Sequence, residues 1–286
     1  MAWEFERLFD AEAEDPEQPR LWSVLPSSIK VGSMGYRRRK TKAGPRLEVE
    51  IYPAFGREQM EQLRAAKTNE TPEAMARYNH ERARRRVVQL ADANFDERDL
   101  SLTLTYNGTP PSYDQALRDV RNFLRKVKRR RAAKSLPDLK YIYSVEGNED
   151  GSRTRIHIHM LISGGLDRET LEELWARGYA NADRLQPDGH GLEAIARYIT
   201  KQQKNRKKWV CSRNLAKPKE DKRDCRMPNA RVKNIAYDFR NGAKMIMEQL
   251  YPSYQFIQCE VRYSDIVDGV YIRCLMRRKP GRKAGK

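Results

Sequence analysis

Hydrophobic positions along the chain switch between a period of two and a period near 3.6, the marks of strand and helix. The strictest alternation is Leu100-Ser-Leu-Thr-Leu-Thr-Tyr106, which predicts a half-buried strand. Asn107-Gly108 is turn chemistry. Ser112, with Gln115 three residues on, has the form of a helix cap, and Leu117, Val120, Leu124 and Val127 line one face of the helix that follows. Residues 140–146 and 155–162 read as two more strands, joined by the turn-forming Gly147-Asn-Glu-Asp-Gly151 into a hairpin. Asp167 caps a helix that turns Leu171, Leu174 and Trp175 inward and ends at Gly178. A short strand at 180–185 follows. A helix from about Gly191 to Gln203 then buries Leu192, Ile195, Ala196 and Ile199. The order β-α-β-β-α-β-α predicts an α+β domain: an antiparallel sheet of ferredoxin-like split βαβ topology, with helices packed on one face.

The flanks are less regular. Residues 1–30 are acidic and hold Pro16, Pro19 and Pro26, the composition of a loose leader. The sign flips at Arg37-Arg38-Arg39-Lys40, and residues 47–52 alternate like a strand. Thr71-Pro72 opens a helix running to about Leu90, whose Arg82, Arg84, Arg85 and Arg86 form either a solvated face or a phosphate contact. Beyond Trp209 a helical stretch near 230–250 and strands near 254–262 and 268–276 are expected. The chain therefore divides into an acidic leader (1–35), a basic N-terminal extension (36–98), a central domain (99–218) and a basic C-terminal extension (219–286).

Charge narrows the function. Among 286 residues, 57 Lys and Arg face 39 Asp and Glu, a formal net charge of +18. That much self-repulsion calls for a polyanion, and nucleic acid is the usual one. The basic residues cluster in Arg125, Lys126, Lys128, Arg129, Arg130 and Arg131, in Lys204, Arg206, Lys207 and Lys208, and in Arg277 to Lys279. Tyr106 and Trp209 are either stacking platforms for bases or core residues. A membrane is excluded as partner: no apolar run reaches the roughly 18–20 residues of a span, and no helix pairs a basic face with a bulky apolar one. The first twenty residues carry seven acidic and two basic side chains, unlike a signal peptide. The four cysteines include no CxxC pair and read as reduced thiols.

One constellation carries chemistry. His157 and His159 are two apart on a strand and so share a face, while Ile156, Ile158, Met160 and Ile162 point the other way. Two imidazoles held side by side can grip a divalent ion, or stand as ordinary sheet-surface histidines. Glu146 ends the preceding strand, within reach of the same face, and would add a carboxylate suited to Mn²⁺ or Mg²⁺. Tyr198 and Lys201 are three apart on the last helix, with Tyr198 at the edge of its buried face.

These segments together resemble the HUH endonucleases, the rolling-circle replication initiators. Ile156-His157-Ile158-His159 is similar to the family's His-hydrophobic-His motif, Leu102-Thr103-Leu104-Thr105-Tyr106 to its first motif, and Ala196-Arg197-Tyr198-Ile199-Thr200-Lys201 to its tyrosine helix. Val145 to Gly151 resembles the turn in which related viral initiators place a metal-binding glutamate. Trp209 to Leu215, with Lys217-Pro218, resembles the replication-associated proteins of bacterial phages and plasmids, the filamentous-phage gene II-like group included. The resemblance covers about residues 90–218. It implies an HUH nuclease core at 99–218 and a metal held by His157, His159 and Glu146. It makes Tyr198 the nucleophile, with Lys201 assisting, in nicking and rejoining single-stranded or hairpin origin DNA. The product would be a 5′-phosphotyrosine and a free 3′-OH, used by host polymerase and helicase in a bacterial cytoplasm. With one such tyrosine per chain, termination would need a second subunit or a second turnover. No second tyrosine follows Tyr198 in the helix, and no GxxxxGK[ST] loop is present.

Other classes stay open at this level: a relaxase, a single-tyrosine transposase, or a non-enzymatic single-stranded DNA-binding protein. A histidine-triad hydrolase is disfavoured because position 161 is Leu.

Overall fold

The computed structural model describes residues 35–58, 61, 72–108, 111–147, 156–200, 209–263 and 269–280. The chain forms two compact units, one of Met1–Arg82 with Pro218–Lys286 and one of Ala83–Lys217. The boundary falls within helix α1 (Pro72–Asn94). Its first residue, Pro72, sits where a missing backbone N–H costs nothing. Thr71, its expected cap, lies outside the described residues. Among the described residues no helix is long and apolar enough to cross a membrane.

The unit of residues 83–217 holds a five-stranded antiparallel sheet, built from β3 (Leu100–Leu104), β4 (Tyr141–Glu146), β5 (His157–Ile162), β6 (Ala180–Arg184) and β7 (Val210–Cys211) in the order β6-β3-β5-β4-β7. The first four strands have the split βαβ order that the sequence predicts. Helix α2 (Tyr113–Ala133) crosses between β3 and β4. Its N-cap is Ser112, whose Oγ accepts from the Gln115 backbone N–H at 3.3 Å. Its first turn carries Asp114 and its last Arg130 and Arg131, both favourable to the helix dipole. Helix α3 (Arg168–Trp175) opens on Asp167, whose Oδ1 accepts from Thr170 N at 2.7 Å. These bonds hold the Asp167 carboxyl down at about 2.

The end of α3 differs from the sequence expectation. It stops at Ala176, which takes the left-handed conformation (φ 51°), and not at Gly178. Gly178 is needed two residues later for another reason. A Cβ there would lie 2.4 Å from the Thr105 carbonyl oxygen, where the backbone runs against the end of β3.

Helices α2 and α3 bury Val120, Phe123, Val127, Leu171 and Trp175 on the sheet face formed by Leu102, Leu104, Val145, Ile158 and Met160. The opposite face is covered too, which corrects the expectation of helices on one side only. There Val87, Val88 and Ala91 of α1 and Ala196 and Ile199 of helix α4 (Glu193–Ile199) pack with Ile142 and Leu161. The physical reason lies in β5 itself. The face that begins His157, His159 continues as Leu161, and an apolar end must be covered.

The other unit is a second five-stranded antiparallel sheet, in the order β8-β1-β2-β10-β9. Its strands are β1 (Tyr36–Ala43), β2 (Arg46–Pro53), β8 (Lys219–Met227), β9 (Tyr254–Tyr263) and β10 (Val270–Arg278). The segments expected as separate N- and C-terminal extensions thus share one sheet, and residues 83–94 join the central unit. Helices α5 (Asn229–Tyr237) and α6 (Asn241–Leu250) divide the helical stretch expected near 230–250. They cover one face through Val232, Ile235, Ile246 and Met247, against Leu47, Val49, Ile51 and Ile272. The other face pairs its charges: Arg39 with Glu50 at 2.6 Å and Arg46 with Glu48 at 2.7 Å, while the Tyr271 hydroxyl donates to Glu50 at 2.6 Å. Cys259 and Cys274 are direct cross-strand partners with sulfurs 2.9 Å apart.

Candidate metal and nucleophile site

Strand register brings three donors together. Glu146 lies directly opposite His157 in the β4–β5 ladder, and Thr103 directly opposite His159 in the β3–β5 ladder. Opposed residues share a sheet face, so all four side chains project from one side. Glu146 Oε2 is 3.4 Å from His157 Nε2 and 3.2 Å from His159 Nε2. The three ligating atoms lie within 4.8 Å of one another.

This spacing is a test of fit. Two ligands bonded to one divalent ion at about 2.0–2.2 Å stand roughly 3–3.5 Å apart. The observed separations fall in that range, and one carboxylate with two imidazoles is a donor set for Mn²⁺, Mg²⁺ or Zn²⁺. The group could hold a metal ion.

Neighbours orient the donors. Thr103 Oγ1 is 3.3 Å from His159 Nδ1. A histidine that offers its Nε2 lone pair carries its proton on Nδ1, and the threonine hydroxyl is placed to accept it. The two imidazole rings meet edge to face, 4.6 Å between centroids. His159 is buried, while His157 and Glu146 are half-buried, so the cluster opens at its His157–Glu146 side.

Tyr198 completes the arrangement. Helix α4 buries Ala196 and Ile199 against the sheet, which turns Tyr198 along the surface. Its ring centroid lies 4.5 Å from that of His159, and the residue is 47% exposed. A phenol bounded on one edge by a donor imidazole and on the other by solvent can be reached by a large substrate. Two other tyrosines of this unit cannot serve so readily. Burial and the nearby Asp119 carboxylate hold the Tyr106 hydroxyl far above its usual range, and burial pushes Tyr143 up to about 12.

Lys201, Lys204, Arg206, Lys207 and Lys208 lie outside the described residues. The basic run of α2 divides by position. Arg125, Lys126 and Arg129 line a cavity beside α3, while Lys128 and Arg130 are exposed outside it. Arg131 is buried and donates to the carbonyls of Pro137, Ser163 and Gly164, so it serves the fold and not a ligand. Tyr106 is likewise a core residue: it packs edge-on against Trp175 at 5.1 Å and donates to Asp119 at 3.3 Å. Trp209 packs at the margin of the α1–α4 core.

Two contributors escaped the sequence reading. Thr103 was legible in principle, since alternation puts it on the strand face opposite the leucines. Asp92 was not. Its Oδ1 accepts from the Leu192 backbone N–H at 2.9 Å, across 100 residues of sequence, and so caps α4 from another helix. Its local mark is no more than a carboxylate among the apolar residues of α1.

The fold and this cluster define a class: an α+β core with antiparallel sheets, consistent with the HUH type, in which a Glu/His/His group could bind a metal. Comparison with known families is more specific. Residues 99–203 match the family model for the replication-associated proteins of the ORF2 and gene II protein type. That assigns the segment to a family of replication-associated proteins, consistent with a rolling-circle replication initiator. No curated protein and no solved structure matches the chain.

Proposed function

We propose that the protein nicks and rejoins single-stranded DNA at a replication origin, with Tyr198 as nucleophile. The observation that carries this reading is the half-exposed Tyr198 ring lying 4.5 Å from the ring of His159, inside the segment matched to replication-associated proteins. Glu146, His157 and His159 would hold a divalent cation, which supplies electrostatic neutralisation at the phosphate under attack.

The remaining chemistry belongs to the chain. The Tyr198 hydroxyl oxygen attacks a backbone phosphorus, forming a P–O bond to the tyrosine as the bond to the 3′ oxygen breaks. The phenol loses its proton and the departing 3′ oxygen gains one, leaving a 5′-phosphotyrosine and a free 3′-OH. The ester exchange conserves bond energy, so attack by a 3′-OH on the phosphotyrosine reseals a strand without a nucleotide cofactor. Lys201, three residues on, would stabilise the phenolate or contact the phosphate. The 3′-OH would serve a host polymerase, working with a helicase in a bacterial cytoplasm. The net charge of +18 supports a DNA substrate.

The test is incubation with a library of single-stranded origin-length oligonucleotides and Mn²⁺, followed by a denaturing gel. A covalent protein–DNA band is expected. Tyr198→Phe should abolish it while DNA binding stays nearly intact. The double variant His157→Ala/His159→Ala should weaken it and remove its dependence on divalent cation. An adduct that persists in Tyr198→Phe would show that another residue is the nucleophile.

A further inference from the structure

A cavity of about 210 Å³ lies between α2 and α3, on the sheet face opposite the Glu146–His157–His159 cluster. One face of α2 lines it with Asn122, Arg125, Lys126 and Arg129, and Arg177 enters from the loop after α3. Arg125 and Arg129 are one helical turn apart, about 6 Å along the axis. Asp119 is the only carboxylate in the lining, and it is committed: it binds Arg177 at 2.9 Å and accepts from Gln115 at 2.9 Å and Tyr106 at 3.3 Å. Arg177 is thereby held as a fixed fork at the rim. Lys126 donates to the Leu174 carbonyl at 3.2 Å, and Arg125 donates to the Asn122 side chain. Among the described residues neither these two nor Arg129 forms an ion pair, so three positive charges converge without a counter-charge.

The geometry points to a phosphate-binding cleft that anchors a second stretch of single-stranded DNA, away from the strand position held at Tyr198. This rests on the nucleic-acid reading above and adds a separate binding site on the other layer of the domain. Size favours a strand over a small ligand. Pockets that enclose whole cofactors run to roughly 300–1,000 Å³, and this one is smaller. It suits a phosphodiester whose sugar and base stay outside. Guanidinium forks match phosphate oxygens in pairs, and Arg supplies three of the four cations. The neighbouring cavity is lined by Glu169, Glu172 and Glu173, which would repel a phosphate chain and confine it to the α2 side of Arg177.

The experiment measures fluorescence anisotropy of a labelled thirty-nucleotide oligothymidylate, at several salt concentrations, with full-length protein. Three proteins are compared: wild type, Arg125→Gln/Arg129→Gln, and Lys128→Gln/Arg130→Gln. The last removes the same charge from the same helix outside the cleft. Each phosphate contact contributes about 0.7 to the slope of log affinity against log salt for single strands. The cleft variant should flatten that slope by about 1.4 and weaken binding at least about tenfold at low salt. The outer variant should change both by less than half as much. Equal effects from the two variants would show diffuse charge attraction and overturn the cleft. So would displacement of the wild-type complex by inorganic phosphate or thymidine monophosphate at equal phosphate concentration, which would mark a site for free phosphate. Because the readout is affinity, a failure of Tyr198 chemistry leaves this result intact. The same titration on Tyr198→Phe should match wild type.

Discussion

Tyr198 depends on a helix too short to stand alone. Helix α4 spans Glu193–Ile199, only seven residues, and its N-cap Leu192 has no side chain that can bond the free amides of the first turn. Asp92, 4% exposed, supplies the missing acceptor from α1. Asp92→Ala removes it and leaves a buried N–H at the start of the helix. A hydrogen bond to a charged group is worth about 1.5–3 kcal/mol in such settings. At about 2 kcal/mol, the constant for local opening of α4 rises about 30-fold. Hydrogen–deuterium exchange resolved by peptide is the assay. Amides of residues 193–200 should exchange about 30 times faster than in wild type, while those of β3 and β5 change little. Asp92→Asn keeps an oxygen acceptor and should cost only a few-fold. If α4 exchanges at the wild-type rate in a folded Asp92→Ala protein, the cap does not hold the helix.

Two further outcomes follow from α3 and its surroundings. The Asp167 carboxyl is depressed to about 2 by its cap bonds to Thr170, against an ordinary value of 3.8. A lowered folded pKa means its stabilisation is present above about pH 4 and is lost as the pH falls toward 2. The difference in melting temperature between wild type and Asp167→Asn should therefore shrink between pH 4 and 2; a constant difference would exclude the carboxylate's part. At the other end, Ala176→Gly should raise stability by about 0.5–1 kcal/mol, since the left-handed backbone suits glycine. Gly178→Ala should lower it by about 1–3 kcal/mol by driving a methyl into the Thr105 backbone. Thermal melts that rank these two variants the other way would refute both assignments.

The parts of the fold that were legible share a physical basis. Alternation in Leu100–Leu104 and His157–Ile162, and caps at Ser112 and Asp167, are local signals, set by backbone dihedrals and neighbouring hydrogen bonds. They were enough for the strand order β6-β3-β5-β4 and for the shared face of His157, His159 and Glu146. Strands β1 and β8 were not legible. Their sequences, YRRRKTKA and KEDKRDCRM, lack apolar alternation. They form because each finds a partner of opposite charge far along the chain, as Lys40 finds Asp221 at 3.1 Å and Arg39 finds Glu50 at 2.6 Å. The helix end at Ala176 was missed because a glycine two residues later carries the usual sign, and its real task is a tertiary approach to Thr105.

Local pattern was thus sufficient for the periods, the caps, the excess of positive charge and the strand face on which the imidazoles stand. Long-range packing was needed to close α1 and α4 over that same face, to cap α4 with Asp92 from 100 residues away, and to bring the Tyr198 ring to rest on His159. The division has one cause. Strand and helix signals depend on neighbours within a turn or a pleat, whereas the docking of a short helix depends on which remote apolar surfaces are left to bury. Here those surfaces are Ile142 and Leu161, whose burial under Ala196 and Ile199 carries the phenol to the histidines.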